Sequence, residues 1–123
     1  MSKALKATFL VHAVVSLLCG APLLIAPGQM LTSLGWAPID PLMSRLLGAA
    51  LLALAWSSFR GWRATERAQV AILVEMEAVF SVLACVGLLR HLLVGAWPLV
   101  PWLAMVIFLV FALAWIYFLV RRK

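Results

Sequence analysis

Four side chains inside apolar stretches of this sequence can bind a polar group or move a proton: His12, Ser16, Glu75 and Glu77. Imidazole and carboxylate groups exchange protons and form hydrogen bonds, and a serine hydroxyl both donates and accepts them. An ionisable group costs about 2.5–3.5 kcal/mol at the centre of a membrane-spanning helix, so it usually faces protein or water. These four residues are therefore the candidate ligand or proton site.

Three of these residues, His12, Glu75 and Glu77, are expected to lie at a similar depth in the membrane. His12 lies near the start of the first stretch, and Glu75 and Glu77 lie near the start of the third. At 1.5 Å per helical residue, all three side chains are ~10–14 Å from the end of their helix. His12 and Ser16 also share a helical face with Thr8 and Cys19. The sequence thus predicts a polar pocket in the inner leaflet.

Glu75 and Glu77 are not expected to face the same neighbour, because residues two apart differ by ~200° around a helix. Glu77 shares its face with Ser81, whereas Glu75 shares its face with Ala78 and Cys85, which would admit another helix closely. We favour Glu77 for the core because its face is more polar. A structural alternative stays open, in which a protonated glutamate holds the helices together through a hydrogen bond.

A second group of polar residues lies at the opposite ends of the apolar stretches. Arg45 opens the second stretch, and Arg90 and His91 end the third. Two arginines and a histidine can bind an anion or a lipid headgroup. The alternative is that their side chains extend to the membrane surface without binding anything specific.

The composition sets the context for both groups. The chain has 123 residues, of which 67% are hydrophobic and 11% charged. Soluble domains are typically about 45–50% apolar and about 25% charged. A soluble chain of this length cannot bury so much apolar surface. The net charge of +6 would fit nucleic-acid binding in a soluble protein, but here the basic residues flank apolar stretches, as in membrane proteins. No nucleic-acid partner is predicted.

Four stretches are long enough to span a bilayer, which takes about 20 apolar residues. They predict helices over residues 5–26, 42–59, 68–94 and 99–120. The fold class is therefore all-α, a single polytopic domain formed by a bundle of four transmembrane helices. The last helix has no ionisable residue before Val120 and is expected to be the most exposed to lipid.

The connections between the spans carry turn signals. Pro27-Gly28 ends the first helix, and the loop that follows has Met30, Leu31 and Leu34 spaced for a short helix at the membrane surface. Asp40-Pro41 is a typical helix start, with an N-cap residue before a proline. Residues 60–67 form a polar connection. On the second helix, Ala49, Ala53 and Ser57 predict a seam of small residues for close packing.

The basic residues set the orientation. If the helices alternate, eight basic residues fall on one side and only Arg45 and Arg90 fall on the other; the eight are Lys3, Lys6, Arg60, Arg63, Arg67, Arg121, Arg122 and Lys123. Basic residues are enriched in cytoplasmic loops. Both termini are therefore predicted to be cytoplasmic.

The sequence predicts neither a metal nor a cofactor. His12 and His91 lie toward opposite ends of their spans, so they cannot ligate one haem, and Cys19 and Cys85 have no metal-binding spacing. We find neither a glycine-rich phosphate loop nor a nucleophile elbow.

One family resemblance rests on the order of these features. A first helix ending in Ala26-Pro27-Gly28 is followed by a second that begins Asp40-Pro41-Leu42-Met43-Ser44-Arg45-Leu46-Leu47-Gly48-Ala49. This resembles the small bacterial four-helix membrane proteins called DoxX-like, and Arg45-x-x-Gly48 is the sharpest element. The resemblance implies the fold, the topology and a bacterial cytoplasmic membrane, but no activity. Small multidrug exporters are similar in size, but their membrane glutamate belongs to the first helix, where this chain has His12.

Three functions are compatible with these residues. The first is a non-enzymatic membrane protein that binds a lipophilic ligand, or acts as an accessory subunit, through a pocket at His12 and Glu77. The second is a proton-coupled transporter of small solutes that works as a homodimer. The third is an isomerase-like membrane enzyme that uses His12 and Glu77 for acid/base chemistry on a lipid-soluble substrate. In each case membrane lipids surround the protein.

Overall fold

The computed structural model describes residues 1–35 and 40–121, which form five α-helices. They are α1 (Lys3–Ile25), α2 (Pro27–Ser33), α3 (Pro41–Arg63), α4 (Arg67–Leu92) and α5 (Leu99–Val120). All but α2 are long and apolar enough to cross a membrane. The predicted class, an all-α protein with four membrane-spanning helices, is confirmed.

The main difference from the predicted helix bounds is at the end of α3. This helix continues to Arg63, and α4 begins at Arg67, so five of the eight residues predicted as a polar connection (60–67) are helical. Arg60 and Arg63 lie in its last turn, where positive charge interacts favourably with the helix dipole. A helix can leave the hydrocarbon and continue in the headgroup region. The end of an apolar stretch therefore does not mark the end of a helix.

The start of α3 follows the predicted capping pattern. Asp40 Oδ1 accepts hydrogen bonds from the backbone N–H groups of Leu42 at 2.9 Å and Met43 at 3.1 Å. Pro41 occupies the first turn, where its missing N–H costs nothing. The predicted start at Asp40-Pro41 is confirmed.

The short helix α2 directly follows α1. Pro27 lies in its first turn. The predicted short helix is confirmed for Met30 and Leu31, whereas Leu34, the third residue predicted to belong to it, is the C-cap residue that follows it. Gly35 follows α2 with a φ of 75°, a left-handed conformation that glycine adopts at little cost. Residues 36–39 of the predicted loop, and Arg122 and Lys123 of the predicted cytoplasmic end, lie outside the described residues.

The chain divides into two compact units, Met1–Arg67 and Ala68–Lys123. In the first, which we call the N-terminal unit, α1 and α3 pack against each other in antiparallel fashion. Gly20 of α1 lies against Gly48 of α3, and Phe9 lies against Gly61. Since glycine has no side chain, the two backbones approach closely at Gly20 and Gly48, as is common between membrane helices.

The predicted small-residue seam on α3 was wrong. Ala49 and Ala53 are exposed, and Ser57 is only half-buried. The buried face lies nearly half a turn away, and consists of Gly48, Leu51, Ala55, Ser58 and Gly61. Alanine is abundant on this helix, so its spacing did not identify the packed face, whereas the two glycines do mark it.

The second unit, which we call the C-terminal unit, contains most of α4 and all of α5. Phe80 and Phe108 join the two helices, with their ring centroids 6.0 Å apart. At the turn between them, the rings of His91 and Trp97 lie 4.5 Å apart. The most apolar stretch of α5 is 17% buried, against 33% for that of α1. α5 has the smallest buried share of the four, as predicted.

Candidate functional site

His12 is at the centre of a buried polar cluster in the N-terminal unit. Its side chain is 5% exposed, on the face of α1 that packs against α3. His12 Nδ1 and Ser58 Oγ lie 2.8 Å apart, a short hydrogen bond in which the imidazole tautomer decides which atom donates. The bond joins α1 to α3 within a segment that is otherwise mostly apolar.

Ser16 completes this cluster on the other side of the imidazole. Its Oγ lies 3.4 Å from His12 Nε2, one helical turn away on α1. A hydrogen bond of this length is weak beside the 2.8 Å bond to Ser58. Ser16 and Ser58 are both buried. We call these three residues the His12 cluster.

The structure brings together two of the predicted site residues, His12 and Ser16, and adds Ser58, which sequence reasoning missed. Ser58 follows Gly48, Leu51 and Ala55 at steps of three and four residues, so it lies on the packed face of α3. Gly48 and Gly61, the glycines at the two ends of this series, marked the packed face in the sequence. Instead, the spacing of the alanines pointed to the neighbouring Ser57.

We expect Ser58→Ala to lower the free energy of unfolding by about 1 kcal/mol, because it removes a buried hydrogen bond between two membrane helices. Ser57→Ala is the matched control. Ser57 Oγ donates to the carbonyl oxygen of Leu54 in its own helix, so its loss should cost less than about 0.5 kcal/mol. Unfolding by titration of sodium dodecyl sulfate into mixed micelles measures both values. Equal effects would show that the His12–Ser58 bond does not stabilise the packing of α1 on α3.

The geometry of His12 and Ser58 also bears on catalysis. A serine hydroxyl within 2.6–3.2 Å of an imidazole is the arrangement of a nucleophile and its general base. However, Ser58 is fully buried between packed helices. Attack on a substrate would require α1 and α3 to separate.

The two glutamates of the C-terminal unit differ in burial, in the direction that the sequence favoured. Glu77 is 1% exposed, whereas Glu75 is exposed. Ser81 lies one turn after Glu77 and is buried too; within residues 1–35 and 40–121 its Oγ has no hydrogen-bond partner. Glu77 and Ser81 thus form a buried polar face on α4. The predicted meeting of this face with His12 involves both units and stays a prediction.

The predicted anion site at the opposite end is divided between the two units. Arg45 lies on the second turn of α3, and Arg90 and His91 lie in the last turn of α4. All three are exposed. The positive charge of Arg90 and the ring contact of His91 with Trp97 both suit a helix C-terminus. Anion binding at these three residues stays a prediction.

No metal site is apparent in the part of the chain that the structure describes, since no three His, Cys, Asp or Glu side chains come together there. Cys19 and Cys85 are free thiols. The His12 cluster supplies one nitrogen ligand and two hydroxyls, which are poor ligands for zinc and for haem iron.

Comparison with known proteins gives no relative of this chain, so a function can be assigned only from the residues described above. None of the protein-family models, curated proteins or solved structures matches this chain. The resemblance to DoxX-like proteins therefore stays a prediction. The described residues show an all-helical protein with four helices able to span a membrane.

Proposed function

We propose that this chain is a multi-pass protein of a bacterial cytoplasmic membrane that binds one lipophilic molecule, with His12 holding the polar group of that molecule. The observation that carries the proposal is the His12 cluster, an imidazole and two hydroxyls buried inside a helix pair long and apolar enough to cross a membrane. Polar and ionisable residues are costly in that setting and commonly mark a functional site.

The chemistry of the cluster limits the class of ligand. A molecule that reaches His12 from the bilayer must be largely apolar. It must also carry a hydroxyl or carbonyl group, because a neutral imidazole offers one donor and one acceptor. A quinone, an isoprenoid alcohol and a fatty acid all meet both conditions.

The orientation with both termini in the cytoplasm is part of this proposal. In the N-terminal unit, four basic residues lie where α1 begins and α3 ends: Lys3, Lys6, Arg60 and Arg63. Only Arg45 lies at the other end of this pair. This distribution supports a cytoplasmic location for the end that carries the four basic residues.

The test is native mass spectrometry of the chain released from its own membrane without added detergent, comparing the wild type with His12→Ala and His91→Ala. We expect a bound small molecule in the wild type and in His91→Ala, whose imidazole is exposed at the far end of α4. Its occupancy should fall roughly fivefold or more in His12→Ala, since a lost hydrogen bond to a buried polar group costs about 1–3 kcal/mol. His12→Gln serves if the alanine variant does not fold.

The same measurement separates the other candidate functions. Equal occupancy in the wild type and in His12→Ala would refute the proposal. A bare homodimer would favour the transporter, and a larger complex with other proteins would favour the accessory subunit.

A second pair of variants asks whether Glu77 contributes to the same site. Glu77→Gln keeps the shape of a buried side chain and removes its ionisable carboxyl group, and Glu75→Gln makes the same change at an exposed position of the same helix. If Glu77 contacts the ligand, only Glu77→Gln should reduce its occupancy. If neither variant does, Glu77 does not contribute to binding of the ligand.

A further inference from the structure

An apolar groove runs along the surface of the N-terminal unit between α1 and α3. It has a volume of about 360 Å³ and is lined by apolar residues of both helices, among them Leu10, Val14, Leu17, Trp56 and Phe59. The groove is open to the outside, since Leu17 is 52% and Trp56 64% exposed. His12, Ser16 and Ser58 do not line it, so the groove is separate from the His12 cluster.

The helical faces that form this groove continue into basic residues at one end. On α1, Lys3, Lys6 and Leu10 follow one another at steps of three and four residues, which places them on one face. On α3, Phe59 and Arg63 are four residues apart and also share a face. Because α1 and α3 are antiparallel, the start of α1 and the end of α3 lie at the same end of the groove.

Arg63 is held close to the groove by an aromatic contact. Its guanidinium carbon lies 6.0 Å from the centroid of the Phe59 ring, which itself lines the groove. A cation over an aromatic face is attracted to it. In the part of the chain that the structure describes, neither Lys6 nor Arg63 forms an ion pair with a carboxylate. Their positive charge is therefore available to an anion at the end of the groove.

We propose that this groove binds one anionic phospholipid, with an acyl chain lying between α1 and α3 and the phosphate group contacting Lys6 and Arg63. An open apolar groove fits a hydrocarbon chain, and basic residues beside a membrane attract anionic headgroups. A second copy of this chain is a poorer occupant, because a twofold interface on this face would bring like charges together. The inference concerns residues and a ligand class outside the proposed function.

The test is a lipid titration followed by native mass spectrometry of the full chain in a non-ionic detergent. The probes are dioleoyl phosphatidylglycerol and dioleoyl phosphatidylcholine, which share their acyl chains and differ in net charge. We expect one phosphatidylglycerol to bind more tightly than phosphatidylcholine. In the double variant Lys6→Gln, Arg63→Gln its dissociation constant should rise roughly 30-fold, at about 1 kcal/mol or roughly fivefold per charge.

The matched control is Arg67→Gln, Arg121→Gln, which removes two positive charges that lie outside α1 and α3. It should leave the preference for phosphatidylglycerol unchanged. Equal affinity for the two lipids, or an equal loss in both double variants, would overturn the proposal. His12→Ala should not alter the titration, so a failure of the proposed function and a failure of this inference remain distinguishable.

A second measurement on the wild-type chain avoids any dependence on the variants. Phosphatidylglycerol with a photoreactive diazirine in one acyl chain should crosslink to exposed residues of the groove, such as Leu10, Val14 and Trp56. Crosslinks restricted to α4 and α5 would place the lipid elsewhere and contradict the proposed site.

Discussion

Replacing Gly48 with alanine is expected to lower the free energy of unfolding by about 2–3 kcal/mol, the usual cost of forcing an extra group into a packed interface. A Cβ atom at this position would lie 2.6 Å from the backbone nitrogen of Leu24 and 2.8 Å from the carbonyl oxygen of Gly20. Both are backbone atoms, so no side-chain rotation relieves the overlap. α1 and α3 must move apart, which also lengthens the His12–Ser58 hydrogen bond.

The matched control for this substitution is Gly87→Ala on α4. A Cβ atom there meets nothing within 4 Å, and alanine favours a helix over glycine by about 1 kcal/mol. Gly87→Ala should therefore leave stability unchanged or raise it. Titration with sodium dodecyl sulfate in mixed micelles gives both values. A Gly48→Ala variant as stable as the wild type would show that α1 and α3 do not pack at Gly20 and Gly48.

Replacing Trp115 with alanine should cost about 3 kcal/mol, the lower end of the range for large aromatic residues in protein cores. Trp115 is the largest fully buried side chain in the described residues, and it lies on α5, the helix with the smallest buried share. In a membrane, lipid solvates an exposed tryptophan well, so burial from water contributes little to this value. The cost comes from the cavity and from the lost packing contacts.

Trp56→Ala is the control for Trp115→Ala. Trp56 is 64% exposed, so its removal leaves no cavity and should change stability by less than about 0.5 kcal/mol. The same titration compares the two variants. If Trp56→Ala proved the more destabilising, burial of Trp115 would not be what holds α5 in place.

Much of the fold was predictable because its signals are local. Four long apolar stretches identify the spans, since each must satisfy its own backbone hydrogen bonds in the hydrocarbon. Asp40-Pro41 identifies the start of α3 through short-range capping hydrogen bonds. The end of α3 was missed because Arg60 and Arg63 are charged yet helical. Charged residues indicate where an apolar stretch ends, but α3 continues beyond that point to Arg63.

The packed faces were harder to predict, for a physical reason. A helix in water is apolar only where it packs, so its sequence reveals that face. A membrane helix is apolar all round because its outer face meets lipid, and the contrast disappears. The packed face is then marked by glycines and polar residues alone. On α1, His12 and Ser16 gave that signal correctly, whereas on α3 the abundance of alanine hid Gly48 and Ser58.

The candidate site was predictable to the same limited degree. His12, Ser16 and Glu77 stood out because each is a polar residue within an apolar stretch, and all three are buried. The partner of His12 on α3 could not be read from composition, because Ser57 and Ser58 are chemically identical neighbours. Only the rotation of α3 about its axis distinguishes them, and that rotation is set by the contact between Gly20 and Gly48.

The division of the chain at Arg67 has a consequence for biosynthesis. Every residue of the contact between α1 and α3 precedes Arg67, including both glycines and all of the His12 cluster. A ribosome that has completed α3 has therefore already made both helices of this pair. α1 and α3 can associate in the membrane while α4 and α5 are still being translated, so the His12–Ser58 hydrogen bond is available to the nascent chain before its two remaining spans exist.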